Sequence, residues 1–178
     1  MKVLEISSYN PRWVQEFQIE RERMAHVLGQ SAIRIEHNGS TAVPGLAAKP
    51  IIDIQVSVQQ LQPISLYAVP LATLGYVHVA HADDAFCPFF HRPAQWPHTH
   101  HVHVVQAGGD EERKTLAFRD YLREHSDVAD QYLALKMKLA AATNADDAAE
   151  REAYANAKSE FIDGVVRLAL SQGYPRKP

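Results

Sequence analysis

The sequence predicts a mixed α/β (α+β) fold, a sheet-bearing first part followed by a C-terminal helical segment. Three patterns predict it. Residues 32–37, 51–58 and 99–106 read with a period of two or as β-branched runs, the mark of strands. Residues 11–28 carry apolar side chains at helical spacing. From Asp110 onward, capping residues and helical periodicity recur to near the end of the chain.

Taken in order, residues 3–8 are a candidate short strand. Asn10 then serves as a helix cap with Pro11 in the first turn; Trp13, Phe17, Met24 and Leu28 form an apolar stripe, and Gly29 stops the helix. Strand 32–37 follows. Residues 39–50 are a Gly-, Pro- and Ala-rich connection with room for one helical turn after Ser40. In strand 51–58, Ile52, Ile54, Val56 and Val58 point one way while Ile51, Asp53, Gln55 and Ser57 point the other. A helix is expected over 63–74, ending at Gly75, with a short strand from Tyr76. Pro88, Pro93 and Pro97 make 81–98 read as a long loop, a kind of segment that is usually functional or mobile. After strand 99–106 and the Gly108-Gly109 turn, helices are expected from Asp110 to about Glu124, from Ser126 to about Ala142, and from about Asp146 to Gln172. No internal repeat or linker interrupts the 178 residues, so one domain is expected.

Composition narrows the function classes. The formal net charge is −3 with a pI near 6.3, which argues against general nucleic-acid binding. No apolar run approaches the roughly 20 residues that span a bilayer, and the first residues show no secretory h-region, so a cytoplasmic protein is expected. The single cysteine, Cys87, reads as a small buried hydrophobe.

Ten histidines are present, seven of them between His78 and His103. On strand 99–106, alternation puts His101 and His103 on one face and His100, Val102 and Val104 on the other. Two imidazoles in that arrangement can meet one metal ion, position a phosphate or accept a proton; a hydrogen-bonded polar face is the plainer alternative. Asp53 with Gln55 is a second candidate. A carboxylate on an apolar strand must be paired or ligate a cation, and a neighbouring amide lends an oxygen but no charge. Gly39-Ser40, directly after a strand, is either a tight turn or a place where backbone approaches an anion. Basic residues also fall on apolar helix stripes: Lys136 four after Tyr132, Lys158 four after Tyr154, and the Arg119/Arg123 pair. They either snorkel or line a pocket and neutralise phosphate.

The stretches HNGSTAVPGLAAKPIIDI (37–54), THHVHVV (99–105), FRDYLREH (118–125), LALK (133–136) and AYANAKSEFI (153–162) resemble, in the same order, the blocks of the GrpB family of small bacterial proteins. The resemblance runs from about Val3 to Leu168. That family is similar in turn to the nucleotidyltransferase superfamily, whose members carry a Gly-Ser pair, about a dozen residues, and an acidic-x-acidic pair on a strand. Here twelve residues separate Ser40 from Asp53. The chain departs from the pattern at Gln55, where a second carboxylate would stand, and on strand 99–106, where His101 and His103 replace a third.

The resemblance implies a nucleotidyltransferase-like sheet core and a pocket for a nucleotide or a phosphorylated small molecule. The activity it implies is transfer of a nucleotidyl group from an NTP to a small molecule or protein with a divalent metal, Mg²⁺ or Mn²⁺, with Zn²⁺ as an alternative. In that reading Asp53, Gln55, His101 and His103 are the catalytic candidates, and Asp53, His101 and His103 hold the metal. Gly39, Ser40, Thr41, Lys49, Arg119, Arg123, Lys136 and Lys158 bind phosphate. A noncatalytic nucleotide-binding module on the same fold is the alternative, and a hydrolytic metal site centred on His101 and His103 is a third.

Overall fold

A computed structural model describes residues 2–176. Its elements are α1 (Arg12–Leu28), β1 (Ala32–Asn38), β2 (Ile52–Val58), α2 (Ser65–Thr73), β3 (Val77–Val79), β4 (Phe89–Arg92), β5 (His100–Gln106), α3 (Asp110–Glu124), α4 (Ser126–Ala141), α5 (Ala148–Asn156) and α6 (Ser159–Ser171). The strands form one mixed sheet in the order β1-β2-β5-β4-β3. The β2–β5 pair is parallel and the other three are antiparallel.

The expected alternation of β2 and β5 holds. Ile52, Ile54, Val56 and Val58 of β2 join Val102 and Val104 of β5 in a core closed by Trp13, Phe17, Met24 and Leu28 of α1 and by Tyr67 and Leu71 of α2. The opposite face of the sheet meets the C-terminal helices. There Ala117 and Tyr121 of α3 pack on Val165 and Ala169 of α6, and Leu122 and Tyr132 pack on Val43 and Leu46 of the β1–β2 connection.

Three expectations are corrected. Residues 3–8 form no strand; Val3 and Ser7 make isolated bridges to Asn144 and Ala48, because this segment crosses loops and never reaches a sheet edge. The segment 81–98 is not all loop. It holds β4, whose four residues lie between Pro88 and Pro93; a proline cannot donate to a strand ladder, so the two rings bound the strand. The helix expected over 146–172 breaks at Ala157–Lys158 into α5 and α6. The two halves pack in different directions: Tyr154 of α5 against Leu4, Ala140 and Ala145, and α6 against α3.

Candidate functional site

Strand register assembles the site. Asn38 of β1 pairs with Asp53 of β2, Asp53 with His101 of β5, and His101 with His91 of β4, so one rung crosses four strands. Beside it the chain turns at Gly39, whose φ of 66° suits glycine. A Cβ at that position would overlap the Asp53 carboxylate, so the Gly39 backbone lies directly against Asp53. A single helical turn, Ser40–Ala42, follows as expected.

Asp53, His101 and His103, the Gly39–Thr41 backbone and Lys49, Lys136 and Lys158 line one cleft of about 420 Å³, within the roughly 300–1,000 Å³ of small-molecule sites. Burial alone would raise the Asp53 pKa. The His101 hydrogen bond and charge, with further help from His103 and Lys49, outweigh it and hold the carboxyl below its ordinary range. His101 Nδ1 lies 3.4 Å from Asp53 Oδ1, and its Nε2 lies 3.0 Å from His98 Nδ1. Both ring nitrogens of His101 are therefore engaged. His98 stacks on His91 at 3.9 Å, and burial, reinforced by those imidazoles, lowers its pKa to about 4. Burial also depresses the pKa of His103, which lies between Phe89 and the Cys87 thiol. The Cys87 thiol is itself pushed up to about 12 by burial, the inert state expected of it.

The lysines differ from one another. Lys136 Nζ donates to the Ala47 carbonyl at 2.5 Å and to Ser40 Oγ at 3.1 Å, tying α4 to the β1–β2 connection. Its ammonium also lies 5.0 Å from the Tyr132 ring centre. The Lys49 and Lys158 ammonium groups approach one ring, Tyr154, at 5.1 and 4.3 Å, a cation–π arrangement. Burial first, then the neighbouring lysines, lowers Lys136 to about 7; burial and Lys49 lower Lys158 to about 8; Lys49 is lowered mainly by burial. Thr41 lines the cleft too, but its hydroxyl faces His37 Nε2 at 3.0 Å, so its role is to brace the turn.

Three predicted residues do not reach the cleft. Gln55 is fully buried. Its Oε1 accepts from Asn38 Nδ2 and Thr115 Oγ1, and its Nε2 has no partner among the described residues. It shares a face with Asp53, but α3 covers it. Arg119 donates to Glu36 Oε2, Asp120 Oδ1 and the His37 carbonyl, and Arg123 to the Ala42 carbonyl. Both arginines clamp α3 to β1 and its connection and border a separate hollow with Glu36 and His37. In turn, sequence reasoning gave no site role to Tyr132, Tyr154, Asn38 or Phe89, which line the cleft. The tyrosines were visible as the residues four before each lysine, a spacing that serves core and cleft alike.

The donor set bears on a metal. With Gln55 covered and His101 bonded at both nitrogens, the cleft offers Asp53 as its one carboxylate. No three His, Cys, Asp or Glu side chains among the described residues are gathered as a metal cluster. A two-carboxylate cradle does not fit these residues. A single carboxylate suits a divalent ion only if the ligand's own phosphates supply further oxygens.

Comparison with known proteins agrees with this architecture. The family model described as GrpB protein matches residues 3–167. The UPF0157 protein YqkA of Bacillus subtilis is 38% identical over 138 residues; the match covers 78% of this chain and 40% of that protein, so the chain spans less than half the length of that relative. The crystal structure of conserved protein GrpB from Enterococcus faecalis superposes with a TM-score of 0.81 at 34% identity, covering 94% of this chain and 98% of that one. A chain in the structure of the GLD-2/RNP-8 complex shares the fold, with a TM-score of 0.53 at 12% identity, covering 74% of this chain and 54% of that one. The five-stranded mixed sheet and its helices are the part of the fold the two share. Among the described residues, no helix is long and apolar enough to cross a membrane. With a family match over nearly its whole length and a GrpB crystal structure superposing on 94% of it, this chain belongs to the GrpB family.

Proposed function

We propose that the cleft binds the phosphate groups of a nucleotide or of another phosphorylated small molecule. One observation carries the reading: three lysine amines face a single carboxylate, Asp53, across one cavity, and none of the three forms an ion pair within 4.0 Å among the described residues. Partly buried cations without counter-ions are costly to hold. A phosphate supplies the missing negative charge, with lysine acting as a point charge toward its oxygens. The test is calorimetric titration with pyrophosphate, ATP, GTP, CTP and UTP. Binding by wild type that weakens roughly tenfold or more in Lys49→Met is expected, as for loss of a charge-assisted contact. Absence of binding by all five probes would sink the proposal.

A second reading is nucleotidyl transfer with a divalent ion at Asp53. The Asp53 carboxylate, lying against the Gly39-Ser40 turn and open to the cleft, favours it. The ion would arrive on the nucleotide's phosphates, with Asp53 as its protein ligand. Incubation with each NTP and Mg²⁺ or Mn²⁺ should then release pyrophosphate, and Asp53→Asn should abolish release. No release with any NTP removes this reading and leaves the binding proposal standing.

A further inference from the structure

We propose that Lys158 is a nucleophilic lysine, placed to form an imine with an aldehyde or ketone that carries a phosphate group. The inference deepens the phosphate-binding reading and rests on it for the anchor of the ligand.

Lys158 differs from Lys136 in its bonding and from Lys49, which also lies over Tyr154 without an acceptor among the described residues, in standing at a helix junction. It stands at the break between α5 and α6, with its amine over the Tyr154 ring. Lys136 is held by two oxygens, whereas no hydrogen-bond acceptor holds the Lys158 amine among the described residues. That amine is not sealed off either. Gln55 Nε2 is the one fully buried side-chain polar atom without a partner among the described residues, so the Lys158 amine opens to the cleft. Lys49 and Lys136 are left to hold a phosphate while the Lys158 amine meets the other end of the same molecule.

The charged and titratable groups that line the cleft with it come from the β1–β2 connection, β2, β5, α4 and α5, while β1, β4 and α6 contribute Asn38, Phe89 and Ile162. The charged and titratable groups are Lys49 before β2, Asp53 of β2, His101 and His103 of β5, Tyr132 and Lys136 of α4, and Tyr154 of α5. Burial, with the Lys49 charge, favours the neutral amine, which is the nucleophile; Asp53 opposes this less strongly. In the reaction, neutral Lys158 Nζ bonds to the carbonyl carbon. Both amine protons leave with the carbonyl oxygen as water, and a C=N bond remains. No oxidant or reductant is required.

The probe is pyridoxal 5′-phosphate, trapped with borohydride and mapped by peptide mass spectrometry. Lys158 should be modified roughly tenfold faster than exposed Lys114, whose pairing with Glu111 favours the unreactive ammonium. The Lys158 rate should climb with pH and level off near pH 8, while the Lys114 rate keeps climbing. Excess pyrophosphate should protect Lys158, pyridoxal without its phosphate should lose most of the advantage, and Lys158→Arg should lose the adduct while keeping its circular dichroism. Adducts spread evenly over surface lysines, or an unmodified Lys158 in protein that binds pyrophosphate, would overturn the nucleophile and leave phosphate binding intact. Rapid modification of Lys158 indifferent to both phosphate and pyrophosphate would overturn the anchor, and with it the phosphate-binding reading.

Discussion

Two charged clusters lie on opposite faces of the same sheet, and they are built on opposite principles. On the α1 face, Glu20 is buried and receives Arg92 through two hydrogen bonds of 2.8 and 3.1 Å, while the Tyr76 hydroxyl donates to it at 2.9 Å. Arg92 also reaches His100 and the Leu74 carbonyl. On the cleft face, Lys49 and Lys158 share an aromatic ring and have no carboxylate within ion-pair distance among the described residues. His100 and His101 are sequence neighbours, yet one belongs to the closed cluster and the other to the open one. The difference separates architecture from function. A buried charge whose partners are all present ties elements together, whereas cations left without counter-ions beside a cavity mark where a ligand's charge belongs.

Breaking the closed cluster should have the largest effect. Arg92→Met leaves the buried Glu20 carboxylate with only the half-exposed Arg23, 2.9 Å away, as its cation, and losing the better-buried partner should cost roughly 3 kcal/mol. Urea denaturation should report a loss of that order. A loss below about 1 kcal/mol would mean that the cluster is only a surface pair and would dissolve the contrast.

A smaller effect distinguishes the clusters by pH. Lys136 is lowered to about 7 and Lys158 to about 8, so between those values and the ordinary lysine range the unfolded chain holds protons that the folded chain does not. Stability contributed by these groups therefore rises with pH through that window, and the folded state carries its full penalty below it. Glu20 gives the same sign in an acidic window and for the opposite reason, since folding favours its charged form. Burial raises its pKa, Arg92 and Tyr76 more than offset this, and the stability gained is lost as pH falls through the depressed pKa. An increase of roughly 1–2 kcal/mol between pH 7 and 9.5, after discounting for solvent screening, is expected from unfolding curves. Lys136→Met should reduce it to the part contributed by Lys158. A wild-type stability that is level or falling over that range would show that the amines are not held as cations at the expense of the fold.

Much of this was legible in the sequence, and the parts that were not have identifiable causes. Strand alternation gave the faces of β2 and β5 because a period of two leaves no other arrangement. It could not give depth. Asp53 and Gln55 share a face, but Gly39 leaves room beside the first while Thr115 of α3 closes over the second. The lysine stripes were readable as Tyr132-x-x-x-Lys136 and Tyr154-x-x-x-Lys158. Arg119 and Arg123 were not separable from them, because helical spacing does not say which neighbour a face meets, and here α3 presents both arginines to β1 and its connection. β4 hid between prolines that read as loop. The break before α6 carries no glycine or proline, since the divergent packing of the two halves makes it and the local sequence does not.

The smallest effect is the most discriminating. Lys158→Met removes an amine that has no acceptor among the described residues and that lies beside Lys49, while keeping an apolar stem of similar length against Tyr154. It relieves a like-charge interaction and a desolvation cost, and loses a cation–π contact of roughly 0.5–2 kcal/mol. These oppose each other, so stability should change by no more than about 1 kcal/mol in either direction, even as the adduct with pyridoxal 5′-phosphate is lost. A functional site of this kind trades stability for ligand affinity, and removing its charge should return some of what it costs. Should Lys158→Met instead destabilise the protein as severely as Arg92→Met, the amine would be part of the framework, and the two faces of the sheet would be built alike.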